Sequence, residues 1–352
     1  MWGQVGFLAT SFFLLGLIMW VANVAEQRRQ QGQPYQGLAL VSYLTLIVFF
    51  GFAVIIGLAL QGMDVLLRTQ PQLLDNAGVN LSDAPIESLA VLGLGLWLPS
   101  LIGVILLLPP VRRLAARLIP IDPQSPVHAA ALALMALVGV NLLTTLGMGL
   151  GNLAESMEQQ GLGEDSGVSL ATLWGQQVFT AIFAMVGVGW LSRRTLPETM
   201  ARLALVIPSL RQVLLGVGVA LLLIPTALLV AALGEFAGVG ADADVERLAE
   251  QLMGPLFRSP LGIISIGVAA ALGEETLLRG AVQPRFGLLL TTILFALLHS
   301  NYGVSISTVI VFVAGLALGI LRMRTNTTTA MIAHAVYNST LGLLVYLGVS
   351  MT

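Results

Sequence analysis

Residues 273–280 read Gly-Glu-Glu-Thr-Leu-Leu-Arg-Gly, two adjacent carboxylates and a guanidinium that follow the apolar run 261–272. An ionised carboxylate at membrane depth must be paired or hydrated, so charges inside such a segment point first to function. Two later apolar segments carry polar groups of a matching kind. His299 follows Phe295 by four residues, and His334 precedes Asn338 by four. A glutamate and a histidine can hold and deprotonate a water. A second histidine and an asparagine can donate hydrogen bonds to a developing oxyanion. Together these are the parts needed to hydrolyse an amide without a covalent intermediate.

Helical spacing suggests how the parts divide. Glu275 and Arg279 are four apart and face the same way, while Glu274 is turned away from them by about 100°. Pairing Glu275 with Arg279 leaves Glu274 free to point into the bundle. The Phe295 ring can wall the face of His299. Each segment also has a structural reading: a salt-bridged helix end for Glu274, Glu275 and Arg279, an interfacial histidine for His299, and interhelical hydrogen bonding for His334 and Asn338. Depth favours the joint reading. Counted from the arginine-rich ends, Glu274, His299, His334 and Asn338 all fall very roughly 10–20 Å in, at 1.5 Å per residue. Zinc held by Glu274, His299 and His334 is the metal alternative, although no His-Glu-x-x-His helix is present. The expectation is a site without a cofactor.

The elements that must position these residues are membrane helices. Of the 352 residues, 57% are hydrophobic and only 10% charged, against about a quarter charged in soluble domains. The net charge of −2 offers no basic face for nucleic acid, and the absence of cysteine excludes disulfides and thiolate chemistry. A span needs about 20 apolar residues. Segments near 5–25, 38–62, 88–108, 127–150, 169–191, 212–236, 260–282, 286–302, 304–323 and 327–349 qualify, predicting an all-α polytopic bundle of about ten membrane helices. No basic stretch precedes the first span, which reads as a retained helix rather than a cleaved signal.

The loops alternate in charge. Arg28/Arg29, Arg112/Arg113/Arg117, Arg193/Arg194/Arg202, Arg279/Arg285 and Arg322/Arg324 share one side, and the acidic or mixed stretches 75–87, 155–165 and 242–250 share the other. The positive-inside rule then gives a multi-pass protein of the cell membrane with both termini outside. Two segments read as interfacial helices: 244–257, with Val245, Leu248, Leu252 and Leu256 on one face, and 199–211, broken by Pro208. The second marks the expected boundary between an N-terminal bundle, 1–200, and a C-terminal one, 201–352. Gly315 and Gly319 suit close helix approach, and Pro99 and Pro225 suit kinks. Asn141, Thr144, Thr145, Gln176 and Gln177 suit either a cavity lining or interhelical bonds. His128 is expected at the arginine-side interface.

Glu274-Glu275-x-x-x-Arg279, Phe295-x-x-x-His299 and His334-x-x-x-Asn338 resemble, in order, residue type and spacing, the three motifs of the CPBP family of intramembrane proteases. That family includes the type II CAAX prenyl endopeptidases (Rce1-like) and the bacterial Abi proteins. The resemblance covers about 255–350. It implies that Glu274 and His299 activate the water, that His334 and Asn338 support the oxyanion, and that Glu275 and Arg279 form a structural pair. It implies as partners the lipid bilayer and a membrane or membrane-associated peptide, lipidated ones included. Two other functions remain open on the sequence. One is a non-catalytic scaffold or immunity protein of the Abi type. The other is a proton-coupled transporter, against which stands the lack of related halves with broken helices.

Overall fold

The computed structural model describes residues 2–70, 86–159, 169–239 and 242–348, and every extended element among them is a helix. Most of the acidic stretch 75–87, and 160–165 of the next, lie outside the described residues. Helices α1 (Trp2–Gln30), α2 (Gln36–Thr69) and α3 (Ile86–Leu106) lead into a short α4 (Pro109–Ala115). Next come α5 (Pro126–Leu134) and α6 (Ala136–Met148), in line across a break at Met135, then α7 (Leu150–Gln159) and α8 (Leu170–Gly187). The second half holds α9 (Leu196–Leu203), α10 (Leu210–Phe236), α11 (Ala243–Phe257) and α12 (Pro260–Ala270). After α12 the chain widens into a π-helix, Ala271–Val282, followed by the single turn α13 (Gln283–Phe286) and α14 (Leu288–Leu298). A 3₁₀ turn, Ser300–Tyr302, then leads to α15 (Ile306–Arg324) and α16 (Thr327–Tyr346).

Helix starts follow local capping chemistry. The hydroxyls of Ser125, Ser169, Ser209 and Ser259 and the carboxylate of Asp242 accept otherwise unpartnered backbone N–H groups in the first turns of α5, α8, α10, α12 and α11. Asn326 does the same for α16 through the Thr329 N–H, at 2.9 Å. Eight of the expected spans are helices long and apolar enough to cross a membrane among the described residues. The other two differ. α14 has 11 residues, about half the length of a span. α16 has 20 residues but spends several on Thr, His, Asn and Ser. α14 falls short by length and ends just before His299, and α16 falls short by its polar content, which includes His334 and Asn338.

The expected interfacial helices are also altered. In α11, Val245, Leu248 and Leu256 are buried inside the protein, because that face docks on α7 and α12 instead of lipid. Helix α9 begins earlier than expected, at Leu196, and stops at Leu203 where Ala204 turns left-handed; Pro208 falls in the extended stretch after it.

The N-terminal helices pack α2 on α3, α3 on α6, and α1 on α8. The tightest crossing is α2 with α3, where Gly57 and Gly93 face one another. A Cβ on Gly57 would lie 2.6 Å from the Gly93 carbonyl and 2.7 Å from the Trp97 nitrogen. Gln61, one turn on, receives the Trp97 indole N–H at 2.8 Å and donates to the Ala90 carbonyl at 3.2 Å. In the C-terminal half, α16 is central and contacts α10, α12, α15 and the π-helix. The two halves meet where α8 lies along the π-helix. Gly57→Ala should therefore force two backbones apart, at an overpacking cost of about 1–3 kcal/mol. A clear fall in the melting temperature of the detergent-purified protein is expected, while Gly37→Ala, in open space, should leave it unchanged.

Candidate active site

The site is built around one buried carboxylate. Glu275 is fully enclosed in the π-helix, and one oxygen, Oε1, lies 3.3 Å from Arg279 Nη1 and 2.9 Å from His334 Nδ1. The expected pairing of Glu275 with Arg279 is present, but in a π-helix rather than an α-helix. A run of i→i+5 bonding of this length is rare and concentrates at functional positions. Two glycines let it fit. A side chain on Gly273 would strike Gln177 of α8, and one on Gly280 would come within 3.0 Å of Leu203 in α9.

Arg279 is held from three directions. Its Nη2 donates to the Gly315 carbonyl at 3.0 Å, its guanidinium lies 4.2 Å from the centre of the Phe295 ring, and Glu275 lies on the same helix. Gly315 makes room for that ring, since a Cβ there would fall 2.7 Å from it. Gln283 repeats the pattern one turn on, donating to the Gly319 carbonyl at 2.9 Å. The paired glycines of α15 thus expose carbonyls that receive side chains from the π-helix and α13, beyond the simple close approach expected of them.

Phe295 is the hub between the three motifs. Its ring meets His299 edge-on at 4.9 Å and His334 at 5.9 Å, as well as Arg279. His299 does not sit within a helix; it caps α14 after Leu298. Its Nδ1 is 2.8 Å from the Phe295 carbonyl. A carbonyl only accepts, so that contact assigns the proton to Nδ1 and leaves a lone pair on Nε2. On its other side the imidazole stacks on Tyr302, ring centres 5.9 Å apart and planes 10° from parallel.

His334 is placed differently from expectation. Nδ1 faces Glu275, and Nε2 lies 3.1 Å from Asn338 Nδ2. With the amide oriented so, Nε2 accepts from Asn338 and His334 has no free N–H for an oxyanion. Asn338 keeps its second amide hydrogen.

Glu274 is half-buried and lies apart from the Glu275 network. One oxygen receives a long contact, 3.5 Å, from Gln177 Nε2, and the other, Oε2, is buried with no protein partner. No hydrogen bond joins Glu274 to His299 among the described residues. Gln177 is buried in α8, outside the segment that resembles a known family. Its polar character within an apolar span was the one sequence signal for it. A second link from the N-terminal helices reaches the residue after His299: Ser300 Oγ accepts from Asn141 Nδ2 at 2.8 Å and lies 3.2 Å from Thr145 Oγ1. Asn141, Thr145 and Gln177 therefore make interhelical contacts, whereas Thr144 bonds within its own helix to Val140.

Among the described residues, no group of three His, Cys, Asp or Glu side chains is arranged to hold a metal ion. A cavity of about 370 Å³ lies next to the site. Leu277, Leu278, Leu294 and Leu298 line it, but Glu274, His299, His334 and Asn338 do not. The chemistry-bearing side chains are thus packed beside the cavity.

Residues 256–340 match the family model for Rce1-like type II CAAX prenyl endopeptidases, which is consistent with the CPBP family named by the motifs. Neither the curated proteins nor the solved structures returned a match. The matched segment carries Glu274, Glu275, Arg279, Phe295, His299, His334 and Asn338. Arg279→Met should leave Glu275 buried with only His334 beside it. Breaking a buried pair in this way costs about 3–5 kcal/mol, so a large loss of thermal stability is expected, read by the melting temperature in detergent.

Proposed function

We propose that the chain is an intramembrane endopeptidase in which Glu274 and His299 activate water and Asn338 receives the oxyanion. The observation that carries this reading is that Glu274, unlike Glu275 beside it, has no ion-pair partner among the described residues and holds a buried oxygen, Oε2, that no protein group meets. Glu275 also has such an oxygen, but its other one is bound by Arg279 and His334. A buried oxygen left over by the fold has a use if it accepts from a water. The Nε2 lone pair of His299 supplies a second acceptor for the same water. The water attacks the peptide carbonyl carbon, its proton passes to Glu274, and the proton then goes to the leaving amine as the C–N bond breaks. The free amide hydrogen of Asn338 meets the carbonyl oxygen as it gains charge. His334 acts through Asn338 and Glu275, as a positioning residue. The reaction draws on no metal or other cofactor.

The substrate is a membrane-associated peptide, and the name of the matched family points to lipidated ones. The division near residue 200 separates a catalytic bundle from an N-terminal bundle that supports it through Gln177 and Asn141. The arginine-rich end is cytoplasmic and both termini are outside.

Glu274→Gln should lower the rate of cleavage of a prenylated CAAX-type peptide by about 10²–10⁴-fold, the usual worth of a general base, with an unchanged melting temperature. His299→Ala should do the same, and dialysis against a metal chelator should leave the wild-type rate intact. A Glu274→Gln protein that still cleaves would sink the assignment, and loss of activity on chelation would favour the metal alternative. A chain with no cleavage activity that nonetheless holds a partner protein, in wild type and Glu274→Gln alike, would make it a scaffold. Topology is separately testable because the chain has no cysteine. Cysteine introduced at Gln33, between α1 and α2, should react with an impermeant maleimide only after the cells are opened.

A further inference from the structure

The 370 Å³ cavity is lined by both charged and apolar side chains. Its charged lining is Arg193, Arg194, Arg202 and Arg285 together with Arg29, Glu26 and Asp122, and its apolar lining includes Met19, Val138, Phe183, Leu294 and Leu298. Among the described residues, none of the four arginines has a carboxylate within ion-pair distance. Arg193 bonds to Asn23, Arg194 to the Val188 carbonyl and Arg202 to the Gly280 carbonyl, all neutral groups. The acids nearby are already committed. Glu26 and Asp122 both bind Arg29, and Glu198 turns back to the Thr195 backbone at 2.7 Å. The four guanidiniums repel one another: burial first, then the neighbouring charges, pushes Arg193 and Arg202 down to about 10. Four arginines without an ion-paired carboxylate, outnumbering the two acids of the lining and sharing the cavity with many apolar side chains, have the chemistry of an amphiphile site.

We propose that this cavity binds a lipid of net negative charge, its phosphate seated among Arg193, Arg194, Arg202 and Arg285 and one acyl chain lying along the apolar wall. Arginine forks suit phosphate oxygens. Several guanidiniums converging on one point exceed what a single carboxyl terminus of a peptide would need, so phosphate is the better match. Arg193 and Arg194 follow the span Leu170–Gly187 and Arg285 ends the span Pro260–Phe286, where lipid head groups are met. The site joins α1, α5, α6 and α8 to the π-helix and α14. Lipid bound there would hold the two halves of the molecule together, next to the residues preceding His299.

The test uses the full-length protein purified in a neutral detergent and exchanged with dioleoyl phosphatidylglycerol, dioleoyl phosphatidylcholine or inorganic phosphate. Native mass spectrometry would count retained lipid, and the melting temperature would be read in parallel. Phosphatidylglycerol should be retained about tenfold more strongly than phosphatidylcholine, as expected for charge-assisted contacts, and should raise the melting temperature. The double variant R194Q/R285Q should lose that preference. Arg285 is exposed, so the single variant R285Q secures a folded protein if the double one fails, with a partial loss expected. Val138→Trp intrudes on the apolar lining and should abolish retention while the arginines remain. Equal retention of the two lipids, or unchanged retention in both the arginine and Val138 variants, overturns the proposal. Inorganic phosphate producing the full thermal shift would also overturn it, by removing the acyl chain from the account. So would a peptide with an apolar end and a free carboxylate that displaces phosphatidylglycerol at comparable concentration.

Discussion

The structure depends on the compensation of one negative charge. Glu275 is sealed inside a membrane protein, where an unpaired carboxylate would be prohibitive. One oxygen serves both Arg279 and His334, which ties the π-helix to α16. Arg279 in turn is anchored by the Gly315 carbonyl and the Phe295 ring, which brings in α15 and α14. Four segments are therefore fixed relative to one another by one small ionic cluster. Such a cluster gives little net stability over a well-packed apolar core, but removal of any member leaves a buried charge without a partner. Its value is in specifying a single arrangement, and that arrangement leaves Glu274 outside the cluster.

The π-helix carries this cluster. Twelve residues wound by i→i+5 bonding carry both glutamates and Arg279 past α8, α9, α15 and α16. Glycines at 273 and 280 allow neighbours to approach the backbone. Glu275 is buried while the adjacent Glu274 reaches toward Gln177, so two identical neighbouring side chains meet opposite surroundings. Glu275 has Arg279 and His334 on one oxygen, whereas Glu274 has only the long contact from Gln177, and each keeps a second, buried oxygen without a protein partner. That asymmetry separates a positioning carboxylate from a chemical one within a single dipeptide.

The N-terminal helices have a physical share in the site. Gln177 touches Glu274, and Asn141 and Thr145 bind the hydroxyl of the residue after His299. They also furnish much of the cavity beside it. Helices outside the family match thus set the surroundings of residues within it.

What the sequence by itself determined is everything that depends on residue type and periodicity. Apolar runs required membrane helices, and the spacing of Glu275 and Arg279 predicted their ion pair. The three motifs stood out because strong polar groups are costly in apolar segments. The tertiary structure decided what depends on neighbours distant in the chain. It gave Glu275 a second partner in His334, so that His334 is bonded on both nitrogens instead of offering a hydrogen to an oxyanion. It also wound the glutamate segment as a π-helix, with Gly273 and Gly280 admitting the close approach of α8 and α9. It turned the apolar face of α11 inward, since an amphipathic face is satisfied equally by lipid or by protein. And it gathered arginines 193, 194, 202 and 285 from three separate segments onto one cavity, a grouping that spacing along the chain has no means to encode.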